Sequence, residues 1–409
     1  MLWLPRQVNS QSIIKILFDA TKAESAANAD WVIDADQHNL GWNPNASVGG
    51  GNESNPQRIP TPAQSGITAS TSETYWEGSL SYWAIDCVKK GYTVETLPYN
   101  GQITYGNSSN VQDLSNYKVF IVDEPNILFT SAQKTALMNF IQNGGSLFMI
   151  SDHTVSDRNN DGSDSPAIWN DFISNNSVHN NPFGFSFDLQ NFSETSNNVA
   201  TLPGDSILHG PMGNVTQVKW SNGTSLTLNS SQNSSVKGVV FQTGASTVGT
   251  NSVLCAYARY GCGKVAAIGD SSPPDDGTGD PNDNSLYNGY ITDAAGNHQK
   301  LLMNITIWLA EGACNNTTAI NEVSDGDAFS IYPNPTSNTL HINFNNSSLT
   351  RKIFFTDISG RILNLPLKMD QNADGKTYSF ETNELSVGIY FCTILQQNKT
   401  IVEKIVISR

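Results

Sequence analysis

Acidic side chains follow several short apolar segments of the sequence, at points where buried strands would end. In an open α/β sheet the ligand site lies beyond the carboxyl ends of the strands, so we expect these side chains to converge. Clustered carboxylates need protons, cations or basic partners to be stable, which makes the cluster a candidate for acid–base or metal-assisted chemistry. Capping of a helix or turn is the alternative use of each residue. The strand-end residues are Asp19, Asp123 with Glu124, Ser151-Asp152-His153, and Asp270 with Ser271.

This cluster leads to a first assignment of roles. Asp152 and His153 would form the centre of the reaction, with His153 acting as a general base or as a metal ligand. Asp19 and Asp270 would complete the catalytic group, and Glu124 would contact the substrate. A divalent metal such as zinc or manganese at these strand ends would point to metal-assisted hydrolysis.

A second constellation lies in the segment 32–39. On a strand, Asp34, Asp36 and His38 would share one face. That arrangement suits metal binding or acid–base work. A surface loop with a hydrogen-bonded histidine is the alternative. Asp36 and His38 are our candidate substrate-binding residues in this segment.

The segment after His153 matches the front half of a calcium-binding loop, with oxygen ligands at alternate positions and a glycine at the bend. Gly162 occupies the bend, whereas Ile168 stands where a glutamate would complete the loop, and Asp171 is the substitute that we predict. A solvated turn rich in Asp and Asn is the alternative. The predicted calcium ligands are Asp157, Asn159, Asp161, Ser163 and Asp171.

Another acidic loop, 270–284, is open to two interpretations, a further cation site or a polar lid. Its start, Ile268-Gly269-Asp270-Ser271, resembles the nucleophile block of the GDSL esterases. In that family the block lies near the start of the domain and a D-x-x-H motif near the end. Here the block comes late, and Asp293 and His298 are five positions apart. The resemblance implies a serine esterase that uses Ser271 with His298.

Strands and helices alternate through the first three quarters of the chain and would position these groups. The pattern favours a mostly parallel, doubly wound α/β sheet over 13–313, with residues 174–250 as β-rich insertions. Continuous apolar runs predict buried strands, and apolar residues at helical spacing predict helices. The main predicted strands are 13–18, 92–97, 117–122, 146–150, 252–257 and 264–268, and the main predicted helices are 74–90, 130–143 and 298–309.

Parts of this domain resemble the class I glutamine-amidotransferase-like families, which include trehalose-utilisation-like proteins and intraflagellar-transport relatives. The segments that carry the resemblance are 16–19, 144–150 and 263–271, with Asn297 and Trp308-Leu309. The resemblance implies an amidotransferase-like fold. The amidotransferase nucleophile is a cysteine on the turn where this chain has Ser151-Asp152-His153, so glutamine hydrolysis is not implied. Several of these relatives are not enzymes.

The end of the chain has a different texture. After a polar linker at 314–328, residues 329–409 alternate like the strands of a small all-β sandwich. Four ordered blocks resemble the type IX secretion system C-terminal sorting domain. This resemblance implies handling by the type IX secretion machinery, export across the outer membrane, and a secreted or cell-surface protein. The blocks are Ile331–Thr336, Asp357–Arg361, Leu385–Phe391 and Glu403–Ile407.

Composition suits an exported protein and excludes other classes. The net charge is −15 and only 22 residues are Lys or Arg, which argues against a nucleic-acid partner. No apolar run is long enough to predict a transmembrane segment. We interpret residues 1–12 as the remnant of a secretion signal or a disordered start. Cys255 and Cys262 flank a predicted hairpin and are a candidate disulfide, with two buried thiols as the alternative.

These patterns predict a secreted hydrolase acting on an extracellular polymer or a small-molecule ester, metal-stabilised or metal-assisted, with calcium as the expected ion. One alternative is a non-catalytic binding or surface protein stabilised by calcium on an amidotransferase-like fold. The second is the serine esterase described above. Four tryptophans would either line a sugar-binding groove or pack in the core. They are Trp76, Trp83, Trp169 and Trp220.

Overall fold

The computed structural model divides the chain into two compact units, Met1–Cys314 and Asn315–Arg409. The predicted start, 1–12, and the predicted linker, 314–328, lie outside the described residues. No helix in the described part of the chain is long and apolar enough to cross a membrane. The structure describes residues 14–26, 29–34, 57–277, 288–312, 329–344, 352–357, 361–363, 365, 367–369, 377–396 and 399–409.

In its described residues, the first unit combines strands with four α-helices and three short 3-10 helices. The strands are β1 (Lys15–Asp19), β2 (Ser25–Ala26), β3 (Ala29–Asp30), β4 (Thr93–Leu97), β5 (Val119–Asp123), β6 (Ser146–Ile150), β7 (Phe185–Phe187), β8 (Phe192–Ser196), β9 (Asn198–Val199), β10 (His209–Gly210), β11 (Gly213–Asn214), β12 (Val218–Gly223), β13 (Leu226–Leu228), β14 (Lys237–Phe241), β15 (Val253–Tyr260) and β16 (Gly263–Ile268). The α-helices are α1 (Ser81–Lys89), α2 (Ser131–Gln142), α3 (Ser165–Ser174) and α4 (His298–Ala310), and the 3-10 helices are Gln64–Gly66, Glu73–Tyr75 and Leu114–Asn116.

The central sheet is mixed. Its path runs β4-β1-β5-β6-β16-β15-β13-β7, and β14 and β9 extend it beside β15. The strands from β4 to β16 are parallel to one another, whereas the pairs from β16 to β7 are antiparallel. The fold is therefore mixed α/β, and the mostly parallel, doubly wound amidotransferase-like arrangement is not confirmed. One cause is the two-residue turn Gly261-Cys262, since so short a connection joins only antiparallel strands.

The parallel half forms where the sequence is continuously apolar. All five residues of β5 and of β6 are buried, as expected for strands covered on both faces. Helix α2 begins at the capping box of Thr130 with Gln133. Helices α1 and α4 pack on each other, and Trp83 of α1 packs edge-on against Phe18 and Phe148 of the sheet.

The predicted disulfide between Cys255 and Cys262 is wrong. Cys255 is a buried free thiol, and Cys262 is disulfide-bonded to another residue. The hairpin register explains the error, because it places Cys255 opposite Ile268 and closes the turn at Tyr260 and Gly263. Cys255 therefore lies several residues along the strand from Cys262, which is farther than a disulfide spans.

The described part of the second unit forms two four-stranded antiparallel sheets, β17-β18-β22-β21 and β20-β19-β23-β24. Burial alternates along the strand Thr339–Phe344, so Leu340, Ile342 and Phe344 enter a core shared with residues of the other sheet such as Ile394. The strands are β17 (Phe329–Tyr332), β18 (Thr339–Phe344), β19 (Lys352–Asp357), β20 (Ile362–Leu363), β21 (Leu367–Met369), β22 (Thr377–Glu381), β23 (Gly388–Gln396) and β24 (Lys399–Ile407).

Candidate functional site

The carboxyl ends of β5, β6 and β16 bring several of the predicted residues into one buried cluster. The strands are adjacent and parallel, and Asp123 lies beside Ile150 in register. The chain then continues the ladder for one residue, since Glu124 N donates to Ile150 O (3.1 Å) and Ser151 N donates to Ile268 O (3.0 Å). Side chains that are far apart in sequence therefore meet at this edge of the sheet.

Glu124 is the centre of this cluster. Its Oε2 accepts hydrogen bonds from Ser271 Oγ (2.7 Å) and Trp31 Nε1 (2.9 Å), and its Oε1 accepts one from Arg158 Nε (3.0 Å). Glu124 is fully buried and has a φ of +45°, a backbone conformation that residues other than glycine rarely adopt. Residues with such a strained backbone conformation are concentrated at functional sites.

Asp152 is the second carboxyl group at the centre. Arg158 Nη2 donates to Asp152 Oδ2 (2.9 Å), so one guanidinium group joins Asp152 to Glu124. Burial raises the pKa of Asp152 well above its ordinary value, and the negative charges of Glu124 and Asp270 raise it further. The raised pKa favours the neutral form of the Asp152 carboxyl.

His153 lies at the edge of the cluster. Its Nε2 is 3.4 Å from Asp152 Oδ2, and its Nδ1 is 2.5 Å from the backbone oxygen of Thr154 and 2.9 Å from Asn191 Nδ2. Both ring nitrogens therefore face a partner. The role of His153 as a general base or a metal ligand stays a prediction.

Asp270 and Asp123 are both buried near Glu124, but only the Asp270 carboxyl accepts hydrogen bonds from described residues. The backbone N–H groups of Ser272 (2.8 Å) and Ser221 donate to the Asp270 carboxyl. Burial raises the pKa of Asp270 to about 7. Neither carboxyl oxygen of Asp123 has a hydrogen-bond partner among the described residues, and burial together with the charge of Glu124 raises its pKa well above the ordinary value.

Asp19 belongs to a neighbouring group rather than to the Glu124 cluster. Its Oδ1 accepts from the backbone N–H group of Thr21 (3.1 Å), Glu24 lies nearby, and burial raises the pKa of both carboxyl groups. Lys22 lies close to both carboxyls and donates from Nζ to Gln133 Oε1 (2.7 Å). The hydrogen bonds of the Asp19 carboxyl are to Thr21, and its catalytic role beside Asp152 stays a prediction.

Two residues at the centre, Trp31 and Arg158, are absent from the sequence-based list. Trp31 comes from the loop after β3, and nothing in its local sequence marks it as a partner of Glu124. Arg158 lies between the predicted calcium ligands Asp157 and Asn159. A basic residue within this acidic segment is the sequence signal for a carboxylate partner.

The predicted calcium loop forms a closed turn held by its own side chains. Asp157 Oδ2 accepts from Gly162 N (2.8 Å), and Asp161 Oδ1 accepts from Ser163 N (2.9 Å). Asp171 is bound elsewhere, in an ion pair with Lys134 of α2, and so does not complete the loop. No group of three or more His, Cys, Asp or Glu side chains in the described ranges is arranged to hold a metal ion. Calcium binding stays a prediction.

The remaining predicted residues lie outside the Glu124 cluster or outside the described residues. Asp36 and His38 lie outside the described residues, and Asp34 accepts from the backbone N–H groups of Thr61 (2.8 Å) and Glu77 (3.1 Å). In the acidic loop, Asp275 and Asp276 accept backbone hydrogen bonds from Gly277 and Tyr82. The four tryptophans considered for a sugar-binding groove are core residues with no exposed surface; they are Trp76, Trp83, Trp169 and Trp220.

His298 does not partner Ser271. Its Nε2 accepts from Lys219 N (3.1 Å), and its Nδ1 lies 2.8 Å from Gly289 O, so backbone groups occupy both ring nitrogens. Burial lowers the pKa of His298, which favours the neutral ring that this pairing needs. The Ser271–His298 pair expected from the esterase resemblance is not formed.

Comparisons with known proteins identify the end of the chain. Residues 330–408 match the family model of the secretion system C-terminal sorting domain. This match confirms the predicted type IX sorting domain and implies handling by that secretion system. The protein is secreted or displayed at the cell surface. No curated protein matches the sequence.

Similarity to solved structures is distant. The mmIFT52 N-terminal domain matches with a TM-score of 0.41 and 13% identity over 73% of this chain and 98% of that one. The cytoplasmic protein STM3548 from Salmonella typhimurium gives 0.35 and 12% over 73% and 100%. The GH42 β-galactosidase Gan42B gives 0.28 and 13% over 78% of this chain and 37% of its own. Scores this low do not establish a shared fold, so the amidotransferase-like fold is not supported.

Proposed function

We propose that the protein is a secreted hydrolase that cleaves esters on an extracellular polymer or small molecule, with Ser271 as the nucleophile and Glu124 as its base. One observation supports this most directly, the 2.7 Å hydrogen bond from Ser271 Oγ to Glu124 Oε2. An activated nucleophile is recognised by a base within hydrogen-bond reach that is itself oriented by other groups. Trp31 and Arg158 orient Glu124 in this way.

The reaction balances with the side chains at hand. As Ser271 Oγ attacks the ester carbonyl carbon, its proton passes to Glu124 Oε2. The C–O bond to the leaving alcohol then breaks, and the alcohol takes the proton from Glu124. Water attacks the acyl-enzyme in the same manner and gives its proton to Glu124, and the carboxylic acid leaves as Ser271 recovers its hydrogen.

Asp152 and Arg158 set the charge of this centre. Arg158 lies within 3.0 Å of both carboxyl groups, and the raised pKa of Asp152 favours the neutral form of that group. His153 then acts as a positioning residue, because it contacts Asp152 and not Ser271. This differs from the first sequence-based assignment, in which His153 was the base or a metal ligand.

A non-catalytic binding protein is the second candidate, and one observation favours it. Ser271 is only 2% exposed, so a substrate carbonyl reaches it only after the surrounding residues move. A buried serine that merely satisfies Glu124 would be a structural feature. The two candidates differ in whether Ser271 reacts.

Labelling with a fluorophosphonate tests this without knowledge of the substrate. The reagent forms a bond between phosphorus and an activated serine oxygen and releases fluoride, and peptide mass spectrometry locates the adduct. We expect an adduct on Ser271 in the wild type, none in Ser271→Ala, and labelling reduced by at least about 100-fold in Glu124→Gln. Ser272→Ala is the matched control and should label normally. Absence of an adduct in the folded wild type would favour the binding protein.

A further inference from the structure

A pocket separate from the Glu124 cluster lies between β14, β15, α4 and the segment 202–207. Its cavity volume is about 320 Å³, and none of its lining residues belongs to the carboxyl cluster. Tyr257 and Trp308 form its aromatic wall, with ring centroids 4.7 Å apart at an angle of 58°. Trp308 is partly exposed, in contrast to the four fully buried tryptophans of the core.

The wall of this pocket is fixed before any ligand binds. The Tyr257 hydroxyl donates to Asp205 Oδ2 (2.5 Å), while Asp205 Oδ1 accepts from the backbone N–H groups of Ile207 (3.0 Å) and Leu208 (3.1 Å). Pro203-Gly204 forms a tight turn closed by Asp205 N and Leu202 O (3.1 Å). Gly204 has a φ of +80°, as a type II turn requires at this position. A preformed wall reduces the entropy cost of binding.

Three cations surround the two rings. Lys237 Nζ is 5.9 Å from the Tyr257 ring centroid, and Arg259 Cζ and Lys264 Nζ are 5.8 Å and 4.9 Å from the Trp308 ring centroid. Lys237 and Arg259 are exposed and have no carboxylate partner among the described residues. The only carboxylate lining the pocket is that of Asp205, which is already bound by Tyr257 and two backbone groups. This concentration of positive charge is unusual in a chain of net charge −15.

We propose that this pocket binds an acidic sugar ring, a pyranose bearing a carboxylate or a sulfate, in an extracellular polysaccharide. Flat aromatic side chains with a polar edge provide an amphipathic surface for the ring. Lys237, which lines the pocket, and Arg259, which lies outside the lining but 5.8 Å from the Trp308 ring centroid, supply the charge for its anionic substituent. The proposal uses the extracellular location of the protein and does not depend on the chemistry of Ser271.

Isothermal titration of the full chain tests the proposal with three probes: oligogalacturonates for carboxylates, sulfated oligosaccharides for sulfates, and a neutral oligosaccharide of equal length. We expect at least one acidic probe to bind about tenfold more tightly than the neutral one, and its affinity to fall as salt is raised. The comparison of the two acidic probes distinguishes carboxylate from sulfate. Equal affinity for neutral and acidic probes, or no binding of either acidic probe, would overturn the proposal.

Variants place the binding in this pocket. The double variant Lys237→Gln with Arg259→Gln changes two exposed side chains and should lower acidic-probe affinity about tenfold or more while leaving the melting temperature unchanged. Lys300→Gln removes one positive charge from α4, outside the lining residues, and should leave the affinity unchanged. Equal losses in both proteins would indicate a general charge effect and refute the assigned site. Fluorophosphonate labelling of Ser271 should be the same in all of these proteins.

Discussion

Glu124 and Asp152, which follow neighbouring parallel strands, accept hydrogen bonds from the same guanidinium group. Arg158 donates from Nε to Glu124 and from Nη2 to Asp152, although its own side chain is 27% exposed. Two carboxyl groups this close would repel each other if both were charged. The shared arginine offsets that repulsion, and the raised pKa of Asp152 favours its neutral form.

Removal of this arginine should therefore destabilise the first unit. We expect Arg158→Met to lower the free energy of unfolding by about 2–4 kcal/mol, because it leaves Glu124 buried without its cation. Urea unfolding at neutral pH measures the change. Lys90→Met is the control, since Lys90 and Glu311 form a solvent-exposed pair at 3.6 Å, and its loss should cost less than about 1 kcal/mol. Equal effects of the two substitutions would contradict the central role of Arg158.

The pKa of Asp270 predicts a pH dependence of stability. Burial raises this pKa from 3.8 to about 7, so between these values the folded state holds a proton that the unfolded state has released. The stabilisation is complete below about pH 4 and is lost as pH rises toward 7, by a total on the order of a few kcal/mol. Denaturant unfolding at pH 5 and pH 8 measures this slope. Asp270→Asn should flatten it, and an unchanged slope in that variant would assign the titration to other groups.

Substitution of Asp123 should raise the stability of the protein, whereas most substitutions of buried residues lower it. Its carboxyl has no hydrogen-bond partner among the described residues, so charging it is costly and replacing it removes no bond. We expect Asp123→Asn to stabilise the protein at pH 8 by about 1–3 kcal/mol and to have little effect at pH 5. Melting temperatures at the two pH values measure this difference.

Asp113 is the matched control for Asp123. Its carboxyl accepts hydrogen bonds from Thr104 Oγ1 (2.6 Å), Gly106 N (2.9 Å) and Ser115 Oγ (2.6 Å), and its hydrogen bonds lower its pKa to about 2. Asp113→Asn should therefore destabilise the protein at pH 8 by about 1–3 kcal/mol. If both substitutions destabilise, Asp123 has a stabilising partner that its surroundings do not reveal.

The sequence carried enough information to predict the parallel half of the sheet and part of the cluster. Continuous apolar runs marked β5 and β6, and the strand-end rule brought Glu124, Asp152 and Ser271 together. For Asp19 the rule stays a prediction, since the hydrogen bonds of its carboxyl are to Thr21 and the nearby charged groups are Glu24 and Lys22. A position at a strand end predicts that a side chain lies near the site, but its hydrogen-bond partners depend on the residues that the surrounding loops supply.

Other features required the tertiary structure. Trp31 reaches Glu124 from a loop whose path depends on packing, so no local pattern identifies the contact. Helix α3 was missed, although Asp164 at its N-cap and Pro166 in its first turn are recognisable start signals. The predicted calcium loop, 157–164, overlaps this helix start at Asp164, so the same residue fits two competing patterns. The β15–β16 hairpin was predicted, whereas the antiparallel pairing of β13, β7 and β14 was not, because short apolar segments do not reveal strand direction.

His298 should be structural rather than catalytic. Both ring nitrogens bind backbone groups, so we expect His298→Ala to lower the free energy of unfolding by about 2–4 kcal/mol. Since burial lowers its pKa, the stability that His298 contributes is present above pH 6.5 and is lost as pH falls below it. Below the melting temperature of the variant, fluorophosphonate should still label Ser271. Loss of labelling in a folded variant would restore the Ser271–His298 esterase hypothesis.

Calcium binding by the loop 157–164 can be tested by its effect on the melting temperature, with a substitution of Asp171 as the control. If the loop binds calcium, elemental analysis of the full chain should find the ion. A chelator should lower the melting temperature by several degrees, because saturating ligand at 100 times its dissociation constant contributes about 2.7 kcal/mol. Asp161→Ala should abolish the shift. Asp171→Asn should preserve it, since Asp171 pairs with Lys134 of α2. A melting temperature insensitive to both calcium and chelator would mean that the hydrogen bonds of Asp157 and Asp161 hold the loop without an ion.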